Sequence, residues 1–555
     1  MSHPNGPRTG RPPTVAPRGM VATPHYLASA AGLEALRRGG TAVDAAVAAG
    51  ATLCVVYPHM TGLGGDAFWL VAGPGTGGVQ ALNASGPAGQ QATIEYYRKH
   101  GCEGEIPDRG ALAALTVPGA VDGWRAVHER FGRLPWADLF ADATAYARDG
   151  IPIARSLADW LTQDAPILRE SAEMARVYLA AGGPQREGAR LQQLDLARSF
   201  EELAASGARA AFYEGTLAQR ICDALGPAGS PLTPEDFARY RAAWVDPISI
   251  TYRGFDVAQM PPSTQGLAAL QILNLLEGFD VSAWRDGTAE YYHHIVEAVK
   301  LAFEDRDEWL TDPEFVDIPL ERLLSKEYAS ERRSLIDPQR ALGFDEIGPG
   351  VRYRADVKHH ERSPGGDTVY FCAADSDGLV VSTIMSIYHD FGAAVIGGDT
   401  GIIIQNRGSF FSLDDKHPNR LEPGKRTFHT IIPAMMLQDG QPVLAYGTMG
   451  GEGQPQTQAA IVTRMVDFGY DVQQAIEAPR WLMGRTWGTA SRNLSLESRI
   501  SDEVARELTL RGHPVLIVGR WEGTVGHAQA IRINRESGFL EGGADPRGDG
   551  SAVGF

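Results

Sequence analysis

Cysteine is scarce: the 555 residues hold four, Cys54, Cys102, Cys222 and Cys372, with no CxxC pair and no histidine at zinc-ligand spacing. Neither a disulfide framework nor a structural zinc is expected, and a reducing cytoplasm fits. Long apolar runs are missing too. The most apolar early stretch, 45–57, is short and interrupted by glycine, so no membrane span is expected. An excess of basic residues is also lacking. With 51 Lys and Arg against 68 Asp and Glu, the formal net charge is -17, which argues against nucleic acid or an anionic membrane as a partner. The opening MSHPNGPRTGRPPTVAPRG has no apolar core of a secretory signal; residues 1–18 read as a flexible tail, and no export is inferred.

What is present is an ordinary globular composition, 43% hydrophobic and 21% charged, in a chain longer than one core usually organises. Two packed layers or lobes follow. The stretch 25–38 carries an apolar stripe that stops at Gly39-Gly40, and Thr41 with Asp44 has capping-box spacing before a second, alanine-rich helix. Gly62, Gly64 and Gly65 then turn the chain into a strand over 67–72. From about Trp124 to Leu342 the period is mostly helical, clearest over 266–276 and 288–310. A hairpin is expected over 368–374 and 379–384, joined by Asp375-Ser-Asp-Gly378. The turn-rich segment 343–362 reads as an exposed linker, and the charged run 304–308 as a solvated helix face. His293-His294 with Glu297 lacks the order of a zinc protease motif, and with His359-His360 reads as solvated or capping.

Several stretches occur together and in order: GMVATPHYLASAAGLEALRRGGTAVDAAVAA, PHMTGLGGDAF, LTVPGAVDGW, MPPSTQGLAALQILN, GGDT before the acidic hairpin, NRG, PGKRTFHTIIPAM, GTMGGEG and GHAQAI. On these the chain resembles the gamma-glutamyltranspeptidase family from Gly19 almost to Phe555. The resemblance implies an α/β (α+β) fold, a four-layer αββα sandwich of the N-terminal-nucleophile type with a large helical portion in its first part. It also implies a precursor that cuts itself after Asp367, giving a large subunit 19–367 and a small subunit 368–555 intertwined in one unit. Thr368 would then be the nucleophile. The chemistry suits it, because a terminal threonine brings its own α-amine as the base its hydroxyl needs. Gly450 and Gly451 would form the oxyanion hole, and Ser386 stands where the family has a threonine that bonds the nucleophile's group. No metal or organic cofactor is implied. The partners expected are a small-molecule substrate and the two subunits of one precursor, with a homodimer of such heterodimers left open.

The departures concern the glutamyl clamp. An early Asp-x-Arg-Glu-x-Ala-Pro motif is replaced by Leu82-Asn-Ala-Ser-Gly-Pro87, which removes the arginine expected to hold the α-carboxylate. The acidic residue for the ammonium aligns with Phe410. Arg407 occupies a Gln or Glu position, a Ser-Ser pair becomes His429-Thr430, and an asparagine becomes Tyr388. Arg407, flanked by Tyr388, His389, His429 and Thr430, therefore suits an anionic amide without an α-ammonium. The pattern looks most like the oxamate amidohydrolase branch. A plainer reading of Arg407 is a salt bridge to Asp414 or Asp415. Alternatives for the whole chain are a γ-glutamyltransferase or glutathione hydrolase, a carbon-carbon bond hydrolase of secondary metabolism, and a non-catalytic relative.

Overall fold

A computed structural model describes residues 10–180, 183–353, 367–484 and 491–555. Helix α1 (Tyr26–Arg37) stops before Gly39, whose φ of +88° suits glycine. Helix α2 (Ala42–Val56) opens on the Thr41/Asp44 capping box and is buried along its whole length. Small side chains let it press flat on a sheet, so burial rather than amphipathicity holds it in place.

That sheet has the order Ser551–Gly554, β1 (Met20–Thr23), β3 (Asp367–Ala374), β4 (Val380–Tyr388), β2 (Asp66–Ala72), Gln80–Ala84 and Ala243–Val245, with antiparallel neighbours throughout. The second sheet runs Thr14–Ala16, Leu540–Ala544, Ala528–Ile533, β6 (Gln441–Thr448), β5 (Ala434–Gln438), Phe255–Gln259 and Ile248–Tyr252, also antiparallel. Phe68, Leu70, Tyr370, Cys372, Ile384, Met435, Ala445 and Ile531 fill the space between the sheets. Outside the first sheet lies α2, against Val369, Phe371 and Met385. Outside the second lie α3 (Gly266–Glu277), α4 (Ala289–Trp309) and α5 (Gly453–Val466), against Met436 and Leu444. The result is the four-layer αββα sandwich.

Alternation along the strands sets the site. Because Tyr370 and Cys372 face the inter-sheet layer, Thr368 has the same parity, as do Ser386 beyond Ile384 and Asp66 before Phe68. Polar residues thus cluster where the inter-sheet core ends.

Five sequence expectations change. The mostly helical middle contains the strands of 243–259, which edge both sheets. Thr14–Ala16, inside the segment read as tail, forms an edge strand. The linker is tied down over its described part: Gly350 N–H donates to Asp305 at 2.9 Å and Trp309 Nε1 to the Val351 carbonyl at 2.7 Å. Residues 354–366, with His359-His360 and the Gly365-Gly366 pair, lie outside the described residues. Finally, Asp305, Arg306 and Glu308 are buried rather than solvated, because hydrogen bonds compensate their desolvation: Asp305 accepts from Tyr328 at 2.8 Å and Gln271 at 3.0 Å. His293 is likewise buried, bonded to His513 at 2.8 Å and the Asp337 carbonyl at 2.7 Å, while Lys300 takes Glu297 at 2.7 Å.

Candidate active site

The site begins where β3 pairs with β4. Asp367 lies opposite Tyr388, but Val369 lies opposite Met385, so β4 carries one extra residue there. Such a bulge redirects side chains, and Tyr388 emerges at φ +79°, a conformation that bulky residues rarely adopt. The expected strand ended at Ile384. Pairing of Ser386 with Asp66 and of Tyr388 with Asp367 carries it four residues further.

Asp367 and Thr368 are both fully buried in β3. The Ser386 hydroxyl donates to the Asp367 carbonyl at 2.6 Å. Its oxygen accepts from Tyr388 N–H at 2.8 Å and from Arg407 Nη2 at 3.4 Å. With both acceptor positions taken, the Ser386 proton points at the carbonyl of the Asp367–Thr368 bond. The Thr368 hydroxyl is buried with no hydrogen-bond partner among the described residues.

From Ser386 a chain of hydrogen bonds runs to the glycine turn. Arg407 Nη1 donates to Thr430 Oγ1 at 3.3 Å, and Gln265 Nε2 donates both to the Thr430 carbonyl at 2.6 Å and to the Gly451 carbonyl at 2.8 Å. Arg306 Nη1 holds the other end of Gln265 at 3.2 Å. Gly450 and Gly451 have φ of +126° and +50° and lead into α5, whose first amides turn back on them: Gly453 N–H donates to Gly450 at 2.7 Å. A helix N-terminus concentrates N–H donors and partial positive charge, as a developing oxyanion requires. Gly447, just upstream, packs against the Tyr370 ring, two residues along β3 from Thr368.

Arg407 is 1% exposed. Its described partners are two hydroxyls at long distance and the faces of Tyr388 (4.2 Å) and Phe410 (5.7 Å); no salt bridge to Asp414 or Asp415 forms. Burial pushes its pKa down to about 10, against the raising effects of Tyr388 and Asp66. Its Nε has no hydrogen-bond partner among the described residues, so the buried guanidinium keeps donor capacity for an anion.

Where the family would place an acid, Phe410 packs between Tyr388 at 4.6 Å and Phe428 at 4.9 Å. Asn83 is occupied by its own turn, accepting from Ser85 N–H at 3.0 Å and Ser85 Oγ at 2.7 Å. His429 is fully buried, its Nε2 3.5 Å from Asp66, and burial with Arg407 nearby holds it well below its usual pKa. The His389 ring lies tilted against Tyr388 at 4.2 Å, and burial lowers its pKa to about 4. The structure therefore gathers Thr368, Ser386, Arg407, Tyr388, Thr430 and His429 around one point, with His389 behind Tyr388. Gln265, Arg306 and Asp66 were missed by sequence reasoning. The first and last lie inside quoted motifs, MPPSTQG and PHMTGLGGDAF, and a polar residue among small ones was the available signal.

The four-layer αββα sandwich is the fold of a class, the N-terminal-nucleophile hydrolases. The sequence profile of the family described as Gamma-glutamyltranspeptidase matches residues 28–555, and the chain belongs to that family. It is 48% identical over 536 residues to the glutathione hydrolase-like YwrD proenzyme of Bacillus subtilis, covering 97% of this chain and 98% of that one. It is 42% identical over 549 residues to the oxamate amidohydrolase proenzyme of Klebsiella pneumoniae, covering 98% and 99%. Among solved structures, the cephalosporin acylase of Bacillus halodurans superposes with a TM-score of 0.87 at 37% identity, covering 100% of this chain and 98% of that one. Among the described residues, no helix is long and apolar enough to cross a membrane.

Proposed function

We infer that the chain is a self-processing amidohydrolase acting through an acyl-threonine intermediate on a small anionic amide such as oxamate. In the precursor, the Thr368 hydroxyl attacks the Asp367 carbonyl, which the Ser386 proton polarises; the resulting ester is opened by water, leaving a large subunit 19–367 and a small subunit 368–555. Since β3 and β4 sit in the middle of their sheet, both pieces stay hydrogen-bonded after the cut.

The freed α-amine of Thr368 then serves as the base. The hydroxyl adds to the substrate carbonyl, N–H groups of the Gly450-Gly451 turn take the negative charge, the ammonium returns a proton to the departing amine, and water resolves the acyl-enzyme. Arg407, with Thr430 beside it, holds the substrate's carboxylate through paired N–H donors.

The observation that carries this reading is the buried Arg407 guanidinium, weakly bonded to hydroxyls next to Ser386. A γ-glutamyl donor would instead bring an ammonium against the rings of Phe410, Phe428 and Tyr388, which carry no negative charge, a cost of several kcal/mol. Ammonia release from oxamate, measured beside cleavage of a γ-glutamyl anilide, tests it. Oxamate is expected to turn over faster; a faster anilide would overturn the substrate assignment.

A further inference from the structure

We propose that Asp66 is the resident counter-ion of Arg407, and that a substrate carboxylate takes over this part while Asp66 accepts one proton from solvent. The inference rests on the anionic-amide reading and adds a proton to its binding step.

Asp66 opens β2 directly opposite Ser386 and lies on the same face of the sheet. One oxygen is spoken for: Oδ1 accepts from Gly86 N–H at 3.1 Å and Gly119 N–H at 3.0 Å. The other is not. Oδ2 is buried without a hydrogen-bond partner and lies 3.5 Å from His429 Nε2, which is itself unpartnered. The groups facing this carboxyl are Arg407 and Gln405 after β4, His429, and Tyr240; Arg426 acts on both His429 and Tyr240. Among the described residues, Arg407 and Asp66 thus act on each other as cation and carboxylate.

Charge then decides the outcome. With Asp66 ionised, the empty site is balanced, and an entering carboxylate would put two negative charges around one guanidinium in a buried place. Neutralising Asp66 restores the balance, and the gap between Oδ2 and the neutral His429 ring has room for that proton. The step is simple in its accounting: a carboxylate, a free anion and a solvent proton become a carboxylic acid and a bound anion, with no bond to carbon changed. Burial pushes the Asp66 carboxyl up to about 7, so the proton is within reach near neutrality.

Asp66 is therefore a positioning residue that acts through Arg407, and its signature is a pH effect. The probe is pyruvate, which has the carboxylate and keto oxygen of oxamate but no amide to cleave. It is titrated calorimetrically into the processed enzyme in buffers of different ionisation heat. Proton uptake per pyruvate is expected to rise from near zero about a unit below neutrality to near one about a unit above it, and KM for oxamate to climb up to about tenfold per pH unit above about pH 7. Asp66→Asn should bind with no uptake and a flat KM profile. Wild-type enzyme that binds pyruvate without uptake, or fails to bind it while still hydrolysing oxamate, overturns the proposal and leaves the activity standing. Absence of both binding and turnover would bring down the anionic-amide reading as well. The wild-type titration decides even if Asp66→Asn does not fold.

Discussion

The tetrapeptide Gly-Gly-Asp-Thr occurs twice, at 365–368 and again at 397–400, and the two copies have opposite fates. Thr400 is as deeply buried as Thr368, but its hydroxyl donates to the Gly397 carbonyl at 2.7 Å and accepts from Ile402 N–H at 3.1 Å. Its own carbonyl receives Ser199 at 2.7 Å. The Gly398 and Gly401 neighbours, at φ +65° and +70°, fold it into a tight turn. Thr368 stands in an extended strand with its hydroxyl unengaged and a serine proton on the carbonyl beside it. The same four residues make a turn anchor in one place and, in the reaction proposed above, supply the nucleophile in the other. The surroundings decide, because the Thr400 hydroxyl is fixed between a carbonyl and an amide of its own turn, whereas that of Thr368 has no hydrogen-bond partner among the described residues.

The widest separation of the two copies is expected from alanine. Thr368→Ala should abolish both the cut and the activity, while Thr400→Ala should still be processed. A denaturing gel reads it: one full-length band for the first, and fragments of about two-thirds and one-third of 59.7 kDa for the second. Cleavage of Thr368→Ala at the same bond would erase the contrast.

Next in size is the serine that only the first copy has near its scissile carbonyl. Ser386→Ala should slow self-cleavage by about 10²- to 10³-fold, the usual cost of one donor to a developing oxyanion. Ser386→Thr should restore most of the rate. A time course of fragment appearance in freshly purified protein checks both, and an unchanged rate in Ser386→Ala would mean the 2.6 Å bond does not polarise the carbonyl.

A smaller effect, about 10- to 100-fold in KM for oxamate, is expected from Arg407→Met, with self-cleavage retained. The cut needs Thr368 and Ser386, whereas the guanidinium meets Ser386 only at 3.4 Å. Steady-state kinetics on processed protein separate the two. A change in kcat alone would move Arg407 from substrate holding to the chemical step.

How much of this was legible in the sequence depends on how local the cause is. The Thr41/Asp44 cap and the glycine stop after Arg38 are settled within a few residues, and both form as expected. The fold came from motifs in a fixed order, since no local pattern joins Met20–Thr23 to a strand starting at Asp367. The strands of 243–259 were hidden because they are short and lie at the edges of the sheets or next to them, with partners such as Asn83 and Met436 that are remote in sequence. Arg407 and Phe410 could be picked out as departures, but the lack of a salt bridge from Arg407 to Asp414 or Asp415 could not, because both are near in sequence. Gln265 reaches Thr430 and Gly451, and Asp66 faces Ser386 and His429, all far along the chain.

The smallest expected effect returns to the second copy and measures how firmly its hydroxyl is engaged. Thr400→Ala removes the partner of Gly397 O and Ile402 N in a place without exposure, so stability should fall by about 1–3 kcal/mol, with processing and activity unchanged. Thr400→Ser keeps the hydroxyl and loses only a methyl group, about 1 kcal/mol or less. Denaturant midpoints of wild type and the two variants give the ordering, with serine close to wild type and alanine lowest. If alanine were as stable as serine, the turn would not depend on that hydroxyl, and the engaged state of Thr400 could not explain why this copy is silent.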